Sequence, residues 1–152
     1  MTIGHGSNAE NELQNATVLL LSVANGLGVL LDGQLTMANH VAALSRSCFF
    51  HLRRLRAIKQ SLTSDAIRTL VHAFVSSRLD SCNSLFAGVS NQLLQKLRVV
   101  QNAPARLVTG ARRSEHNFMT PVLRDLHWLP VRQRITFKTA VLVYKCVHDM
   151  AP

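Results

Sequence analysis

The sequence of 152 residues predicts a mainly α-helical bundle, preceded by a short β-hairpin and a poorly ordered leader. Three observations favour this fold class. Apolar residues recur at helical spacing from residue 38 onward, an apolar run near residue 30 precedes Asp-Gly, and the first 25 residues are rich in Asn, Gly and Ser. Because 47% of the residues are hydrophobic and only 16% are charged, the chain has enough apolar material to bury a core.

Residues 1–25 are interpreted as a disordered leader and residues 26–37 as the hairpin. In the second range, the run Leu27–Leu31 has strand-forming character, and the Asp32-Gly33 pair that follows is typical of tight hairpin turns. The sequence therefore predicts that the hairpin turns at Asp32-Gly33. Because two strands alone are marginally stable, we expect this element to belong to a larger sheet that the chain does not contain.

Residues 38–152 are predicted to form a helical module, whose first helix has the clearest pattern. From Ala38 to Lys59 the apolar residues fall on one narrow stripe, which predicts an amphipathic helix that buries Val41, Leu44, Cys48, Leu52 and Leu55. A second helix begins after Ser64 and is predicted to bury Ile67, Leu70, Val71 and Phe74. A short helix or turn then closes at Gly88.

Two prolines shape the second half of the module. A third helix from about Asn91 to Val108 is predicted to bury Leu93, Leu97, Val100 and Leu107. Because Pro104 removes a hydrogen bond inside this helix and clashes with the preceding turn, we expect a kink or an early stop near Ala103. A fourth element, Thr120–Trp128, leads into a last helix with Pro130 in its first turn, where a missing N–H costs nothing.

The charge of the chain is unevenly distributed. Residues 1–37 contain three acidic residues and no Lys or Arg, whereas the remaining 115 residues hold all 17 basic residues and only five acidic ones. Such an excess of positive charge attracts polyanions, with the nucleic-acid backbone as the first candidate and anionic lipid as the second. Arginine dominates the cations, which favours bidentate contacts to phosphate.

One face of the first helix carries the main candidate site. Opposite the apolar stripe lie Arg46, Phe50, Arg53 and Arg54, an aromatic ring flanked by guanidinium groups. Such a surface can hold backbone phosphates while Phe50 stacks on a base or sugar. The alternative is that Phe50 packs against another helix and that the arginines are a solvated rim.

Two further groups of cations are candidates for nucleic-acid binding. Arg134, Lys138 and Lys145 align along the last helix, although they could also be a cationic face that covers the core with its aliphatic stems. Arg112 and Arg113 follow Gly110 in a predicted linker, where loop arginines either contact phosphate or remain solvated.

Catalytic and metal-binding patterns are absent from the sequence. The acidic residues after residue 37 are scattered singly, so adjacent carboxylates for a two-metal centre are missing, and we predict no catalytic residue and no metal ligand. Three widely spaced cysteines, Cys48, Cys82 and Cys146, predict no disulfide framework and favour a reducing compartment. No apolar run is long enough to span a membrane, so we expect no membrane partner. The start of the chain is acidic and polar, unlike a signal peptide, so we expect an intracellular protein, nuclear or cytoplasmic.

Four segments in order resemble one known family. They are LGVLLDGQLTMANHVAALSRSCFFHLRRLRAI, LVHAFVSSRLDSCNSLFAGV, LLQKLRVVQNAPARLVTGARR and TPVLRDLHWLPVRQRITFKTAVLVYKCVHDMAP. Residues 26–152 are similar to the region just after the catalytic palm in reverse transcriptases of non-LTR, LINE-like and Jockey-type retrotransposons. The resemblance implies that Leu27, Gly28 and Val29 correspond to the primer-grip hairpin at the end of the palm. It also implies that the helices form a thumb-like module that holds template and primer.

The resemblance also limits what the chain is expected to do. The family's catalytic aspartates precede the region that this chain resembles, so polymerisation is not carried over. Ser81 stands where the family commonly has Tyr, and Pro104 where Ala is usual. We therefore expect a fragment of an RNA-directed DNA polymerase that binds an RNA/DNA duplex or template–primer and meets a palm domain. Intact members of the family use a divalent metal ion, whereas we expect this chain to bind no cofactor. The alternatives are a helical protein–protein interaction module or a non-functional remnant of a mobile element.

Overall fold

The computed structural model describes residues 23–26, 28–111 and 119–150 of the chain. Within these residues the protein is mainly helical, and a two-stranded antiparallel hairpin precedes the first helix, which confirms the predicted fold class. Residues 1–22 of the predicted leader lie outside the described residues.

The hairpin turns at a different place from the one predicted. Strand β1, Val23–Gly26, pairs with β2, Val29–Asp32, and Gly26 faces Val29 across the turn. The connection therefore includes Gly28, whose φ of 81° is a conformation that glycine adopts without strain. The placement of the turn at Asp32-Gly33 was wrong, and β1 begins within the range predicted as leader.

Asp32 instead organises the link between β2 and the first helix. Its carboxylate accepts hydrogen bonds from the Thr36 backbone N–H at 2.8 Å and from the Thr36 hydroxyl at 2.6 Å. These bonds favour the charged form and hold the pKa of Asp32 below its ordinary value of 3.8. The Asp-Gly pair therefore directs the chain into a helix.

Helix α1, Ala38–Ile58, matches its prediction closely. It buries His40 in addition to the five predicted residues Val41, Leu44, Cys48, Leu52 and Leu55. The apolar stripe packs mainly against α4, Asn91–Thr109, and the start of α1 also contacts β2. Burying a side chain such as Leu52 or Leu97 contributes about 1.5–3 kcal/mol, so this interface holds the centre of the fold.

The second helical segment contains an irregularity that the sequence did not predict. Helix α2, Ser64–Val71, is capped by Thr63, whose hydroxyl accepts the Ala66 N–H at 3.2 Å. It continues through a π-helical turn, His72–Ser76, into α3, Ser77–Asp80. The prediction was correct for Ile67 and Val71, which are buried, but wrong for Phe74, which is exposed.

Helix α4 does not end at its proline. Ser90 caps its start, Pro104 lies inside it, and it ends at Gly110, which has a φ of 76°. The predicted early stop near Ala103 was therefore wrong. We attribute the continuation to packing, because the proline ring is fully buried and Leu107 is buried one turn later.

The described fold also contains two further helices and a 3₁₀ turn that packs against one of them. Helix α5, Met119–Asp125, ends in a turn in which His127 has a positive φ and the Trp128 N–H donates to the Leu123 carbonyl at 2.7 Å. Helix α6, Val131–Val147, starts directly after Pro130, close to the predicted position. A 3₁₀ turn, Asn83–Phe86, follows α3 in the chain and packs against α6.

A buried amide fixes the start of α6 on α4. Gln101 is 2% exposed, its Nε2 donates to the Leu129 carbonyl at 2.7 Å, and its Oε1 accepts the Val131 N–H at 3.1 Å. The Leu129 carbonyl also accepts from Arg134 Nε at 2.8 Å, and the Arg134 guanidinium pairs with Asp80 at 2.6 Å. One polar network therefore links α3, α4 and α6.

Substitution of Gln101 by Met is expected to destabilise the fold by about 1–3 kcal/mol, because the buried Val131 N–H loses its acceptor while the side-chain volume changes little. Urea-induced unfolding would measure the change. Gln92→Met on the exposed side of α4 is the control and should change stability by less than about 0.5 kcal/mol. Equal effects for the two variants would show that the amide bridge contributes nothing specific.

A second prediction concerns His40, whose Nδ1 accepts the Leu30 N–H at 3.3 Å and whose ring stacks on Phe86. Burial lowers the pKa of His40 below its ordinary value of 6.5, so the folded protein binds this proton less readily than the unfolded chain. The contribution of neutral His40 to the free energy of unfolding is therefore fully present above pH 6.5. It is lost as the pH falls through the lowered pKa of the folded state.

Unfolding midpoints measured between about pH 7.5 and 5 would test this dependence, since the window brackets the ordinary histidine pKa. His40→Gln should flatten the fall in stability, whereas His72→Gln, at an exposed position, should leave it unchanged. Asp32 does not contribute there, because its pKa is lowered from a value already below this range. A slope that persists in His40→Gln would contradict the assignment.

Candidate nucleic-acid interface

The outward face of α1 presents the predicted basic group to solvent. Arg46, Arg53 and Arg54 are exposed, and Phe50 among them is 55% exposed. Because α4 covers the opposite stripe, this side of the helix is free of core contacts. The alternative interpretation of Phe50 as a packed side chain is not supported by its exposure. We call Arg46, Phe50, Arg53 and Arg54 the basic face.

The arginines of the basic face form no ion pair with another described residue. Helix α1 contains no Asp or Glu. The ion pairs found among the described residues join Arg68 to Asp65 and Arg134 to Asp80, on other elements. The guanidinium groups of this face are therefore directed toward solvent with no acidic partner on their own helix, which favours an external anion.

An aromatic row extends the basic face toward the π-helical turn. The rings of His51 and Phe74 are stacked with centroids 4.9 Å apart and an interplanar angle of 11°. Phe50 meets His51 edge to face at 5.4 Å, and the Arg54 guanidinium carbon lies 5.6 Å from the Phe50 centroid. Phe50, His51 and Phe74, all at least partly exposed, form a surface suited to stacking.

Sequence reasoning missed two members of this row for a definite reason. In a regular α-helix Phe74 lies two turns after Ile67 and faces the core. The π-helical turn accommodates an extra residue, so Val75 and Ser76 occupy the core instead and Phe74 rotates outward to 38% exposure. Nothing in the pattern of residues 64–80 signals this turn. His51 could have been found from its position beside Phe50.

The predicted ridge on α6 is only partly present. Arg134 has a side chain only 14% exposed, and it is held by Asp80 and by the Leu129 carbonyl. The guanidinium therefore serves the fold, and its assignment to a nucleic-acid surface is corrected. Lys138 and Lys145 are exposed on the same helix. They belong to a different helix from the basic face.

The other predicted site residues divide between described and undescribed positions. Arg112, Arg113 and Leu27 lie outside the described residues. Gly28 is exposed in the hairpin turn, whereas Val29 is buried in the main core. Within the predicted primer-grip segment, Val29 therefore anchors the hairpin to the helices, and Gly28 is accessible.

The three cysteines are free, and one of them is buried. Burial raises the pKa of the Cys48 thiol to about 11, which keeps it protonated near neutral pH, and Arg78 opposes this shift only in part. Cys82 and Cys146 are exposed. Among the described residues, no group of three or more His, Cys, Asp or Glu side chains is placed to hold a metal ion.

Helix α6 has an exposed apolar side. Phe137, Val143, Tyr144 and Val147 are exposed, with Val147 at 72%. Beside them a groove of about 970 Å³ runs between α6 and the Phe86–Val89 segment. Apolar surface of this extent favours contact with another protein surface.

No helix in the described ranges combines the length and the apolar character needed to cross a bilayer.

Comparisons with known protein families, with curated proteins and with solved structures found no match to this chain.

Proposed function

We propose that this chain is the template- and primer-holding helical region of an RNA-directed DNA polymerase of the non-LTR retrotransposon type. Its contact with nucleic acid would be the basic face of α1. The observation that carries the proposal is the exposed Phe50 ring among Arg46, Arg53 and Arg54, continued by the stacked pair His51 and Phe74.

The chemistry of this surface fits a nucleic-acid strand. Guanidinium groups bind phosphate oxygens through paired N–H donors, and such contacts position a strand without reading its sequence. Aromatic side chains stack on bases or sugars of any sequence. A surface that combines both groups suits a protein that must hold whichever template it meets.

The segments behind the family resemblance interact with one another. Gln101, from the third segment, bridges Leu129 and Val131 of the fourth, and Arg134 of the fourth pairs with Asp80 of the second. These contacts give the residues a shared structural reason to occur together in one chain. They hold three of the four segments in one folded unit, and the proposed contact with the strand lies on α1.

The proposed role places the chemistry in a separate palm domain. The catalytic aspartates and the divalent metal of the intact family would reside there, and this chain would contribute no cofactor ligand. The hairpin β1–β2 would meet the palm, with Gly28 accessible at its turn. A template–primer or RNA/DNA duplex would be the partner, in the nucleus or the cytoplasm.

A second candidate is a helical protein–protein interaction module. The observation that favours it is the exposed apolar side of α6, which includes Tyr144 and Val147. In that case the cations would serve solubility, and nucleic acid would not bind at moderate salt. The two functions therefore differ in one measurable property, the dependence of hybrid-duplex binding on ionic strength.

Replacing both Arg53 and Arg54 by Ala tests the first candidate. Wild-type protein should bind a labelled RNA/DNA hybrid with an affinity that falls steeply with salt, because phosphate contacts release counterions. The double variant should bind more weakly on every sequence tested, and the slope of log affinity against log salt should decrease by about 2. Fluorescence anisotropy at several salt concentrations would measure both quantities.

The matched control is Arg98→Ala with Arg124→Ala, which removes the same charge from exposed positions on α4 and α5 that are outside the ion pairs of the described residues. This pair should change the affinity much less than the Arg53 and Arg54 pair. Equal effects of the two double variants would show that binding depends only on net charge. In that case α1 would not be the specific contact surface. Absence of wild-type binding at low salt would reject the nucleic-acid function itself.

A further inference from the structure

A second cationic feature lies beside the basic face and was not predicted from the sequence. Where the C-terminal ends of α1 and α4 meet, a pocket of about 500 Å³ is lined by Arg56, Lys59 and Arg106 together with Phe49 and Val99. None of the described residues that line it is acidic. Three cations on one concave surface give it a positive potential stronger than that of scattered surface charges.

The elements that build the pocket fix its cations in place. Lys59 belongs to the 3₁₀ turn after α1, and its Nζ donates to the Leu107 carbonyl at 2.9 Å. This bond neutralises part of the negative end of α4, which would otherwise oppose an anion. An ammonium group has three donors, so Lys59 retains donors for a ligand while it is held in position.

The remaining walls indicate what kind of anion fits. Phe49 and Val99 are exposed at 40% and 56%, so an apolar surface adjoins the cations. The volume exceeds that of a bare phosphate and leaves room for an attached sugar or base. A phosphoester with a flat or apolar substituent matches both the charge and the walls.

The position of the pocket connects it to the basic face. Arg53 lies one helical turn from both Phe49 and Arg56, so these side chains are neighbours on the surface of α1. A strand held at Arg53 and Arg54 can therefore reach the pocket without crossing an acidic helix.

We propose that this pocket binds a phosphate group of the nucleic-acid strand that crosses the basic face, with the attached sugar or base against Phe49. Arg56 supplies the most accessible guanidinium, and Lys59 and Arg106 line the site behind it. The inference rests on the proposed function and adds a second, concave contact that fixes the path of the strand.

The test compares Arg56→Gln with Arg124→Gln, an equal change of charge at an exposed position outside the pocket. In hybrid-duplex binding, Arg56→Gln should weaken affinity on the order of tenfold, the loss of one charge-assisted contact, and should lower the salt slope by about 1. Arg124→Gln should change both quantities much less. Circular dichroism melting of each variant verifies that the fold is intact, as expected for exposed residues.

A separate measurement uses inorganic pyrophosphate and nuclear magnetic resonance of the arginine Nε–Hε groups. Saturable shifts at Arg56 and Arg106, with none at Arg124, would support the pocket as a phosphate site. Shifts of equal size at all three would overturn it.

The outcomes separate this inference from the proposed function. If Arg53 and Arg54 govern hybrid binding but Arg56→Gln behaves like Arg124→Gln, the pocket assignment fails and the function of α1 stands. If pyrophosphate binds while wild-type protein does not bind the hybrid, the strand assignment of the pocket fails together with the proposed function.

Discussion

The buried amide of Gln101 is the constraint on which the placement of the last third of the fold depends. Without this amide, the buried Val131 N–H would lose its acceptor and the Leu129 carbonyl would lose one of its two hydrogen bonds. The glutamine side chain supplies one donor and one acceptor at the spacing of a peptide group, so it pairs with both. Arg134 completes the carbonyl's second hydrogen bond and carries the link to Asp80. These bonds therefore fix the place where the N-terminus of α6 packs against α4.

That arrangement also decides which cations are available to a ligand. Packing of α4 against the apolar stripe of α1 leaves the opposite side of α1 in solvent. Helical spacing places Arg53 and Arg54 on that exposed side. Arg134 lies on α6, where the core network binds it. The same residue type thus serves the fold in one place and presents charge in another, depending on whether an acidic or carbonyl partner is within reach.

The parts of the fold that depend on one uninterrupted period were predictable. Helix α1 is such a case, because its stripe needs only the α-helical repeat. The exposure of Phe74 was not predictable, since a π-helical turn changes the register without a residue signature. The hairpin turn was misplaced because Asp32-Gly33 suits both a hairpin and a helix entry, and the carboxylate's bonds to Thr36 decide between them. Tertiary partners likewise determined the role of Arg134.

The count of 17 basic residues therefore overstates the number of cations that can bind a polyanion. The Arg134 guanidinium pairs with the Asp80 carboxylate at 2.6 Å, and the Arg68 guanidinium lies 4.0 Å from the Asp65 carboxylate. A cation that is paired with a carboxylate produces a weaker field outside the protein than an unpaired one. Positive charge is concentrated on the basic face of α1 and in the adjoining pocket, because α1 has no acidic residue and none of the described residues that line the pocket is acidic. The proposed binding of nucleic acid consequently depends on the local arrangement of α1 and its neighbours, and a chain of equal net charge with these arginines paired to carboxylates would not be expected to bind in the same way.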